Sequence, residues 1–448
     1  MRLPSSLKND PRALAVEILN RVDGERSFAE PRLDAVLTAG HPAAEADRGL
    51  LTFLVYGTLR MRGYLDFVVD HFYTGKPDAL EPGIRNILRV ALYQLRFAGK
   101  IPAYAAVDEA VNLARRLFRG REKLVNAVLR NALRGMSDLK LPSLEADPAG
   151  HIAVVHSHPR WIVERWLEAF GVGETLALCR ADNEIPPLAL RVNTLKTTRE
   201  AILGRLRDAR PAGYSPDGIL LAKPPEAPRE MREVAEGLLQ VQDEAAQLVS
   251  RLLDPQRGER ILDLCSGAGG KTAHLAALMG NEGDLVATDI QPGKLRSLMS
   301  SAQRLGFSVT TAVADAADAS TTAALGLFDR VLVDAPCSGL GTLRRNPEIR
   351  WHLDAQTLDG FPPQQERILS NAAACVKKGG RLLYGTCSVM PGENDGVVET
   401  FLQKRPDFIA AGAPAGFPAG VLDSKKYLRT FPHRHGTDGF FGARLVRR

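Results

Sequence analysis

Apolar residues recur at helical spacing through residues 1 to about 140 of this 448-residue chain. The first such segment, NDPRALAVEILNRV, carries Asp10 where a helix N-cap belongs and Pro11 at the first helical position. Further segments carry similar apolar stripes, and short breaks rich in glycine and proline separate several of them: LLTFLVYGTLR, YLDFVVDHF, IRNILRVALYQLRF, AVDEAVNLARRLF and KLVNAVLRNALR. We predict an all-helical domain over residues 1–140, followed by the linker MSDLKLPSLEADPAGH.

The hydrophobic pattern becomes mixed between residues 150 and 245. HPRWIVERWLEAFG is typical of an amphipathic helix, and PPLALRVNTLKTTREAILGRL predicts a strand, a turn and a helix. We therefore predict a linker and a small α+β region here.

Short apolar runs alternate with helical patterns from about residue 255 onward. The candidate strands are RILDLC, DLVATDI, SVTTAVAD, DRVLVDAP and RLLYGTC. This alternation predicts an α/β domain over residues 246–448, with a parallel sheet covered on both faces. Ligands of such sheets bind at the carboxyl ends of the strands. Several segments should therefore lie along one edge: CSGAGGKT, Asp289, Asp315, DAPCSG and TCSV.

The segment LDLCSGAGGKTAHLAAL predicts a strand, a glycine-rich turn and a helix, and three ligand classes fit such a turn. A nucleoside triphosphate requires G-x-x-x-x-G-K-[ST], but Cys265 stands at the first glycine position of that pattern. A dinucleotide requires G-x-G-x-x-G, but Thr272 stands at the third glycine position. S-adenosylmethionine (SAM) carries no phosphate and requires close backbone approach and an acid for its ribose hydroxyls.

Two aspartates at predicted strand ends suit such a nucleoside. Asp289 ends the second strand and can accept hydrogen bonds from both ribose hydroxyls, although NAD-binding proteins use the same device. Asp315 ends the third strand and can accept from an adenine amino group. A surface turn is the alternative for each aspartate alone, whereas the series in register favours a nucleoside site.

The chain has five cysteines, at positions 179, 265, 337, 375 and 387, without a CxxC pair. This pattern indicates free thiols rather than a disulfide framework or a zinc site. Cys179 and Cys375 lie in apolar helix patterns and Cys265 lies in the glycine loop, so we interpret these three as packing residues. Cys337 and Cys387 instead follow apolar runs at strand ends, and both thiols should project into the crevice of the glycine loop.

Two thiols beside a SAM site suggest methyl transfer to carbon 5 of a pyrimidine. That carbon is a poor nucleophile, but a thiolate that adds to carbon 6 makes an enamine whose carbon 5 can attack a methyl group. A second thiol or a carboxylate can then help as a base. Asp334 could bond the ring nitrogen that gains electron density, and Lys271 is our hypothesis for the cation that lowers the pKa of one cysteine.

Basic residues are concentrated in one part of the chain, whose net charge is +6. Residues 115–134 hold seven basic side chains and one acid, a density typical of a surface that binds a phosphate backbone. A solvated helix face is the alternative. The candidate RNA contacts are Arg115, Arg116 and Arg119.

A second mixture of basic and aromatic residues follows the DAPCSG segment. The sequence LRRNPEIRW suits contacts to the backbone and bases of an RNA whose target base is accessible in a loop or flipped out. Its candidate RNA contacts are Arg344, Arg345 and Arg350, beside Trp351.

The overall composition is that of a globular protein, with 45% hydrophobic and 25% charged residues. The chain has no uninterrupted run of 18 apolar residues, and MRLPSSLKNDPRAL lacks the apolar core of a signal peptide. We expect a cytoplasmic monomer without a membrane partner or a metal.

The motifs together resemble those of the RNA cytosine-5 methyltransferases of the Sun (Fmu) family. LDLCSGAGGKT, DAPCSGLGTLRRNPEIRW and YGTCSVMPGEN carry the resemblance, with LLQVQDEAAQLV and HGTDGFFGARL in support. The N-terminal VYGTLR, RVALYQLRF, IPAYAAVDEAV and KLVNAVLRNALR look like the NusB-type RNA-binding domain that is fused to this enzyme in bacteria.

The resemblance implies a class I SAM-dependent methyltransferase with a Rossmann-like doubly wound sheet, a NusB-like all-α domain and a small α+β RNA-binding region. It implies that the enzyme forms 5-methylcytidine in RNA, with 16S ribosomal RNA (rRNA) as the expected substrate. It assigns Cys387 as the nucleophile, Cys337 as the residue that assists product release, and Asp334 to the catalytic set. The implied SAM pocket comprises Cys265, Ser266, Gly267, Ala268, Gly269, Gly270, Lys271, Asp289, Asp315 and Asp334. The family commonly has a proline where this chain has Ala268. This difference concerns which subgroup of the family the chain resembles, and therefore which cytidine is its expected target.

Other functions remain open from the sequence. A DNA cytosine methyltransferase would usually show a single Pro-Cys-Gln nucleophile, whereas Ser338 follows Cys337 here. A methyltransferase acting on transfer RNA or another RNA and a non-catalytic NusB-type RNA-binding factor are alternatives, although the two thiols and the aspartate series argue against the latter. A P-loop NTPase is more distant.

Overall fold

The computed structural model describes residues 3–42, 44–222 and 228–448. The chain divides into two compact units. The first runs to Glu184 and also includes Leu343–Ala355, and the second comprises Ile185–Thr342 and Gln356–Arg448. The amphipathic helix that we placed in the middle region therefore belongs to the first unit. Residues 223–227 of the predicted α+β region lie outside the described part of the chain.

The N-terminal sequence forms helices, as its pattern predicts. The helices of the first unit before residue 185 are α1 (Pro11–Glu25), α2 (Ala29–Thr38), α3 (Glu45–Arg60), α4 (Arg62–Phe72), α5 (Pro82–Phe97), α6 (Ala103–Leu117), α7 (Glu122–Gly135), α8 (Pro148–Val155) and α9 (Arg160–Ala181). The predicted N-cap is confirmed, because the Asp10 carboxylate accepts hydrogen bonds from the backbone amides of Arg12 and Ala13. No helix in the described part of the chain is long and apolar enough to cross a membrane.

Residues 3–139 of the first unit share one apolar cluster, with α5 contributing many of its buried residues. Arg89 of α5 is buried and is held by two carboxylates, Asp66 at 2.7 Å and Asp23 at 3.1 Å. These pairs raise the pKa of Arg89 although burial acts in the opposite direction. The guanidinium therefore remains charged inside the helical core.

The segment Leu343–Ala355 is held in the first unit by buried polar contacts. The Arg350 guanidinium donates to the carbonyl oxygen of Ser157 and to Oδ1 of Asn183, each at 3.1 Å. Trp351 donates its indole N–H to the carbonyl oxygen of Leu59 at 3.0 Å. Burial lowers the pKa of Arg350 to about 10, so the side chain still carries its charge at neutral pH.

The structure corrects the prediction that this segment contacts RNA through Arg344 and Arg350. Their side chains are 3% and 0% exposed, respectively, and the Arg350 donors already bond protein oxygens. A guanidinium buried in this way cannot reach a phosphate. Arg345 is half-buried and stays a candidate for RNA contact.

Replacing Arg350 with methionine is expected to lower the free energy of unfolding of the first unit by about 3–5 kcal/mol, because a buried polar network loses its charged donor. All three tryptophans of the chain, at positions 161, 166 and 351, belong to this unit, so tryptophan fluorescence during urea unfolding reports on it. Exposed Arg180 on α9 provides the matched control, and Arg180→Met should change stability by less than about 0.5 kcal/mol. Equal stabilities of the two variants would contradict the anchoring role.

The second unit begins with a small antiparallel sheet, and the strand and helix predicted in PPLALRVNTLKTTREAILGRL are present at Leu188–Val192 and Arg199–Leu203. Its strands are β1 (Leu188–Val192), β2 (Ala209–Pro211), β3 (Gly218–Leu221) and β4 (Leu239–Val241), in the order β2-β3-β1-β4. Two short helices accompany it, α10 (Arg199–Leu203) and α11 (Arg232–Ala235). The sheet packs on its own apolar cluster, which includes Leu190, Ile202 and Ile219.

A larger sheet forms the rest of the second unit. Its strands are β5 (Arg260–Asp263), β6 (Asp284–Asp289), β7 (Thr310–Val313), β8 (Phe328–Asp334), β9 (Val376–Thr386), β10 (Phe408–Ala410), β11 (Leu428–Arg429) and β12 (Phe441–Arg447). The remaining helices are α12 (Glu244–Leu253), α13 (Gly270–Leu278), α14 (Pro292–Leu305), α15 (Ala319–Ala323), α16 (Ile349–His352, in the first unit), α17 (Ala355–Ala374), α18 (Asp395–Lys404) and α19 (Pro432–His435).

The strand order is β10-β12-β9-β8-β5-β6-β7, with β11 beside β12. The neighbouring strands β9, β8, β5, β6 and β7 are parallel to one another, and they are the five strands that the sequence predicts. Two further strands that the sequence did not predict extend the parallel part: β12 runs antiparallel to β9, and β10 runs antiparallel to β12. Antiparallel neighbours need no helical crossover, so the alternation of strands and helices does not reveal them.

Both faces of this sheet are covered, as predicted. On β8, Val331 and Val333 pack in one apolar cluster with residues of α17 and α18. Leu332, which points to the other face, packs in a second cluster with residues of α12, α13 and α14. After β5 the chain adds β6 and β7 on one side and then β8 and β9 on the other. The strand order thus reverses between β5 and β8, where ligands bind in open α/β sheets.

Candidate functional site

The two predicted thiols lie together at the carboxyl ends of β8 and β9. These strands are parallel, and Asp334 is paired in register with Gly385. A cysteine follows the end of each strand within a few residues. The sulfur atoms of Cys337 and Cys387 are 3.3 Å apart. The two thiols are therefore neighbours, as their positions at strand ends predict.

Cys337 retains its proton. The hydrogen bond with Cys387, burial, and the negative charges of Cys387 and Glu393 raise the pKa of Cys337 well above its usual value. The lowering of a cysteine pKa that we expected from Lys271 therefore does not apply to Cys337. Cys337 can therefore act as a donor in the contact between the two sulfur atoms.

Lys271 and Asp334 form an ion pair beside the thiols. The Lys271 Nζ lies 2.7 Å from Oδ2 of Asp334, and the ammonium stands 5.1 Å from the ring centre of Phe440. Burial alone would lower the pKa of Lys271, but Asp334 and the negative charges of Cys387 and Asp263 raise it. The lysine therefore supplies a fixed positive charge to this edge of the sheet.

The glycine loop joins β5 to α13 and is tied to the end of β6. The Gly267 amide donates to Oδ2 of Asp289 at 3.1 Å, and the Ser266 amide donates to the carbonyl oxygen of Thr288 at 2.8 Å. Gly269 has φ +86°, and a Cβ there would lie 2.6 Å from the Leu298 side chain. Both conformation and space therefore require glycine at position 269.

The residues of the loop fit SAM. Gly267 has φ +57°, and a Cβ at this position would meet no atom within 4 Å, so there is open space in front of the loop. Asp289 lies at the edge of that space and is 7% exposed. Its neighbour Ile290 is 58% exposed and offers an apolar surface next to the carboxylate. Small residues, an acid and an apolar side chain are what a nucleoside with a methionine tail needs.

Asp315 and Cys265 lie at the sheet edge, where the sequence predicts them. Their contacts give less support for a direct role in binding SAM than those of Asp289. Asp315 is exposed after β7, where its carboxylate accepts from the Ala317 amide at 2.9 Å. Cys265 packs against the apolar cluster beneath the sheet edge, and burial raises its pKa. Within the described residues, no group of three or more His, Cys, Asp or Glu could hold a metal ion.

The predicted RNA contacts of residues 115–134 lie on the first unit. Arg115, Arg116 and Arg119 are all exposed at the end of α6. In the described part of the chain, Arg115 bonds Oδ1 of Asn112 and Arg116 bonds Oγ of Ser6, and no carboxylate pairs with any of the three. Their charges are therefore not neutralised by the protein.

Glu393 is a buried carboxylate next to the thiols that the sequence patterns did not predict. Glu393 accepts hydrogen bonds from the two serines that directly follow the cysteines, Ser338 and Ser388. The sequence signal is the pair of Cys-Ser dipeptides together with the acid of YGTCSVMPGEN, to which we had assigned no role.

Three family models match consecutive parts of the chain. The NusB family matches residues 9–134, a ferredoxin-like domain of RsmF/B-like methyltransferases matches residues 158–227, and 16S rRNA methyltransferase RsmB/F matches residues 250–446. These matches follow the order of the helical region, the small sheet and the large sheet.

Two curated proteins are similar over almost their whole length. "Probable ribosomal RNA small subunit methyltransferase B" of Bacillus subtilis is 35% identical and covers 97% of this chain and 98% of its own. "Ribosomal RNA small subunit methyltransferase B" of Pseudomonas putida is also 35% identical, with 98% of both chains covered.

Solved structures share the fold. The crystal structure of PH0851 has a TM-score of 0.82 and 28% identity, and the match covers 99% of both chains. The crystal structure of NSun6 from Pyrococcus horikoshii with SFG has a TM-score of 0.59 and 21% identity, and it covers 65% of this chain and 99% of its own.

Proposed function

The chain belongs to the RsmB/F family of 16S rRNA methyltransferases, and on that premise we propose that it methylates carbon 5 of a cytosine in 16S rRNA. The family is SAM-dependent and acts on rRNA. The observation that supports cytosine-5 chemistry is the pair of sulfur atoms 3.3 Å apart at the sheet edge that carries the glycine loop. Methylation of an exocyclic nitrogen or of a ribose hydroxyl needs no thiol, whereas carbon 5 requires a nucleophile at carbon 6.

Cys387 is the nucleophile in this proposal. Its thiolate adds to carbon 6 of the cytosine, and the electrons of the 5,6 double bond make carbon 5 nucleophilic. SAM supplies the methyl group that carbon 5 takes up. Two contacts support the assignment: Cys387 lies 3.3 Å from the Cys337 thiol, whose pKa is raised, and a negative charge on Cys387 would be stabilised by the Lys271 ammonium.

Cys337 acts in the second half of the reaction. The hydrogen bond and negative charge of Cys387 are among the causes that raise the pKa of Cys337, and both disappear once Cys387 is bonded to carbon 6. Cys337 can then release its proton to solvent and, as a thiolate, accept the proton from carbon 5. The electrons of that C–H bond re-form the 5,6 double bond, the bond from sulfur to carbon 6 breaks, and Cys387 leaves as a thiolate.

Asp334 and Lys271 stabilise the charge that builds up on the ring. Asp334 holds the Lys271 ammonium at 2.7 Å, and this ammonium would donate to the ring nitrogen that gains electron density. In a site shielded from water such a fixed charge is worth more than in solution. The glycine loop and Asp289 would hold SAM on the β5 side of the same edge.

The experiment that tests this proposal uses unmethylated small-subunit rRNA and SAM with a labelled methyl group. We expect the label in 5-methylcytidine after nuclease digestion and chromatography with mass spectrometry. Transfer RNA serves as the competing substrate, since a preference for it would redirect the proposal to another RNA. A label on a ribose oxygen or on an exocyclic nitrogen would contradict the chemistry.

Neutralising the exposed arginines at the end of α6 is expected to weaken RNA binding. The variant Arg115→Gln/Arg116→Gln/Arg119→Gln loses up to three phosphate contacts, which should reduce the slope of log affinity against log salt by about 2. Fluorescence anisotropy with a labelled rRNA fragment at several salt concentrations measures this slope.

A charge-matched control carries glutamine at three exposed basic positions of the second unit: Arg257, Lys378 and Lys404. We expect the control to retain the wild-type slope. Equal slopes in both variants would mean that the arginines of α6 form a solvated face without an RNA partner.

A further inference from the structure

The Glu393 carboxylate is buried and is satisfied by neutral donors. It lies at the end of a 3-10 turn, Pro391–Glu393, and is 1% exposed. Oε2 accepts from the Ser338 amide at 2.8 Å and from Gln365 Nε2 at 3.0 Å. Oε1 accepts from the hydroxyls of Ser338, at 2.5 Å, and Ser388. No cation in the described part of the chain pairs with it, so this carboxylate is not half of an ion pair.

The donors belong to the two cysteine loops. Ser338 directly follows Cys337, Ser388 directly follows Cys387, and the serine hydroxyl oxygens are 3.1 Å apart. Since one carboxylate oxygen accepts from both hydroxyls, Glu393 joins the two loops at the residues next to the sulfur atoms.

Gln365 extends this connection to the other side of Cys337. The same Nε2 that donates to Glu393 also donates to the carbonyl oxygen of Pro336 at 2.9 Å. The backbone before Cys337 is therefore linked to Glu393 through Gln365, and the backbone after it directly through the Ser338 amide. Two attachment points that flank one residue define the position of its side chain more closely than one.

A backbone contact brings the same loops together further along. The Gly341 amide donates to the carbonyl oxygen of Cys387 at 2.9 Å, and a Cβ on Gly341 would lie 1.9 Å from the carbonyl oxygen of Gly439. This contact sets how closely the loops approach but does not bond the Cys-Ser dipeptides to each other.

We propose that Glu393 is a positioning residue that holds the Cys337 and Cys387 loops in register, so that the two sulfur atoms meet. The structural part of this proposal is independent of the reaction, whereas its catalytic consequence rests on the proposed function. Glu393 touches no reacting atom, and its effect on the reaction passes through the two serines and Gln365. Its negative charge also acts on Cys337, after the hydrogen bond with Cys387 and burial, in the direction that keeps that thiol protonated.

The experiment measures the approach of the sulfur atoms without RNA or SAM. Diamide oxidises the two thiols of the full-length protein to a disulfide, taking up two electrons and two protons as it becomes the hydrazine. Peptide mapping identifies the link between Cys337 and Cys387, and its rate of formation reports how often the sulfur atoms come within bonding distance. With the sulfur atoms 3.3 Å apart, we expect rapid linkage in the wild type.

Three variants separate positioning from general stability. Glu393→Met should slow linkage roughly tenfold or more, because both loops lose their common acceptor. Glu393→Gln should link at close to the wild-type rate, because its carbonyl oxygen can accept from the Ser338 amide and Gln365 while the serine hydroxyls turn to accept from its amide. Glu399→Met is the matched control on α18, where Glu399 is 56% exposed and pairs with Lys425.

If Glu393→Met does not fold, the double variant Ser338→Ala/Ser388→Ala carries the test, since it removes the hydroxyls while leaving the carboxylate in place. Slower linkage in either variant, with the control unchanged, supports the proposal. Wild-type linkage in a folded Glu393→Met protein overturns it. The proposed function fails separately, if the methylated product is not 5-methylcytidine although linkage behaves as expected.

Discussion

Replacing Cys387 with alanine is expected to reduce methyl transfer to RNA by roughly three orders of magnitude or more, because the variant cannot form the bond to carbon 6. SAM binding should be unchanged, since the glycine loop and Asp289 hold each other through bonds that do not involve Cys387. Transfer of labelled methyl to small-subunit rRNA measures the first quantity, and titration calorimetry with SAM measures the second.

Cys375 is the control position, because replacing it with alanine also removes a thiol. Its sulfur donates to the carbonyl oxygen of Thr322 in the core, and Cys375→Ala should retain methyl transfer. If Cys387→Ala kept a tenth of the wild-type rate, a covalent route through that sulfur would be excluded.

Replacing Cys337 with alanine is expected to leave the protein covalently attached to its RNA. Cys387 can still add to carbon 6 and carbon 5 can still be methylated, but the group 3.3 Å away that would accept the carbon 5 proton is missing. The adduct then persists, and denaturing gel electrophoresis should show a band of protein plus RNA that disappears on nuclease treatment.

The double variant Cys337→Ala/Cys387→Ala is the control, and it should form no such band. The division of roles also predicts a difference between the single variants, since only Cys337→Ala has a nucleophile. If both single variants slowed the reaction equally and neither retained RNA, the two sulfur atoms would not have the separate roles proposed here.

Local patterns in the sequence predicted the parts of the fold that depend on neighbouring residues. The helices of the N-terminal region and the Asp10 cap follow from spacing within a few turns. The five parallel strands follow from short apolar runs between helical patterns. The meeting of Cys337 and Cys387 was also predictable, because parallel strands place their carboxyl ends at one edge.

The errors concern residues whose partners lie far away in the chain. Arg350 has the sequence context of an RNA contact, but its donors bond residues of the α8–α9 connection and the end of α9, nearly two hundred positions earlier. Strand β12 pairs antiparallel with β9 without a crossover helix, so the alternation of strands and helices did not predict it. The local sequence does not show whether a charged side chain contacts solvent or a distant segment. It also does not show whether a short strand pairs with a distant strand.

The sequence by itself determined which side chains gather at one edge of the sheet, since glycine, aspartate and cysteine at strand ends lie together in any parallel arrangement of those strands. Only the tertiary structure decided how those residues are protonated and held: Lys271 with Asp334, the proton on Cys337, and Glu393 between the two serines. The physical reason is that burial and hydrogen bonding depend on distances between loops, which hydrophobic periodicity does not encode.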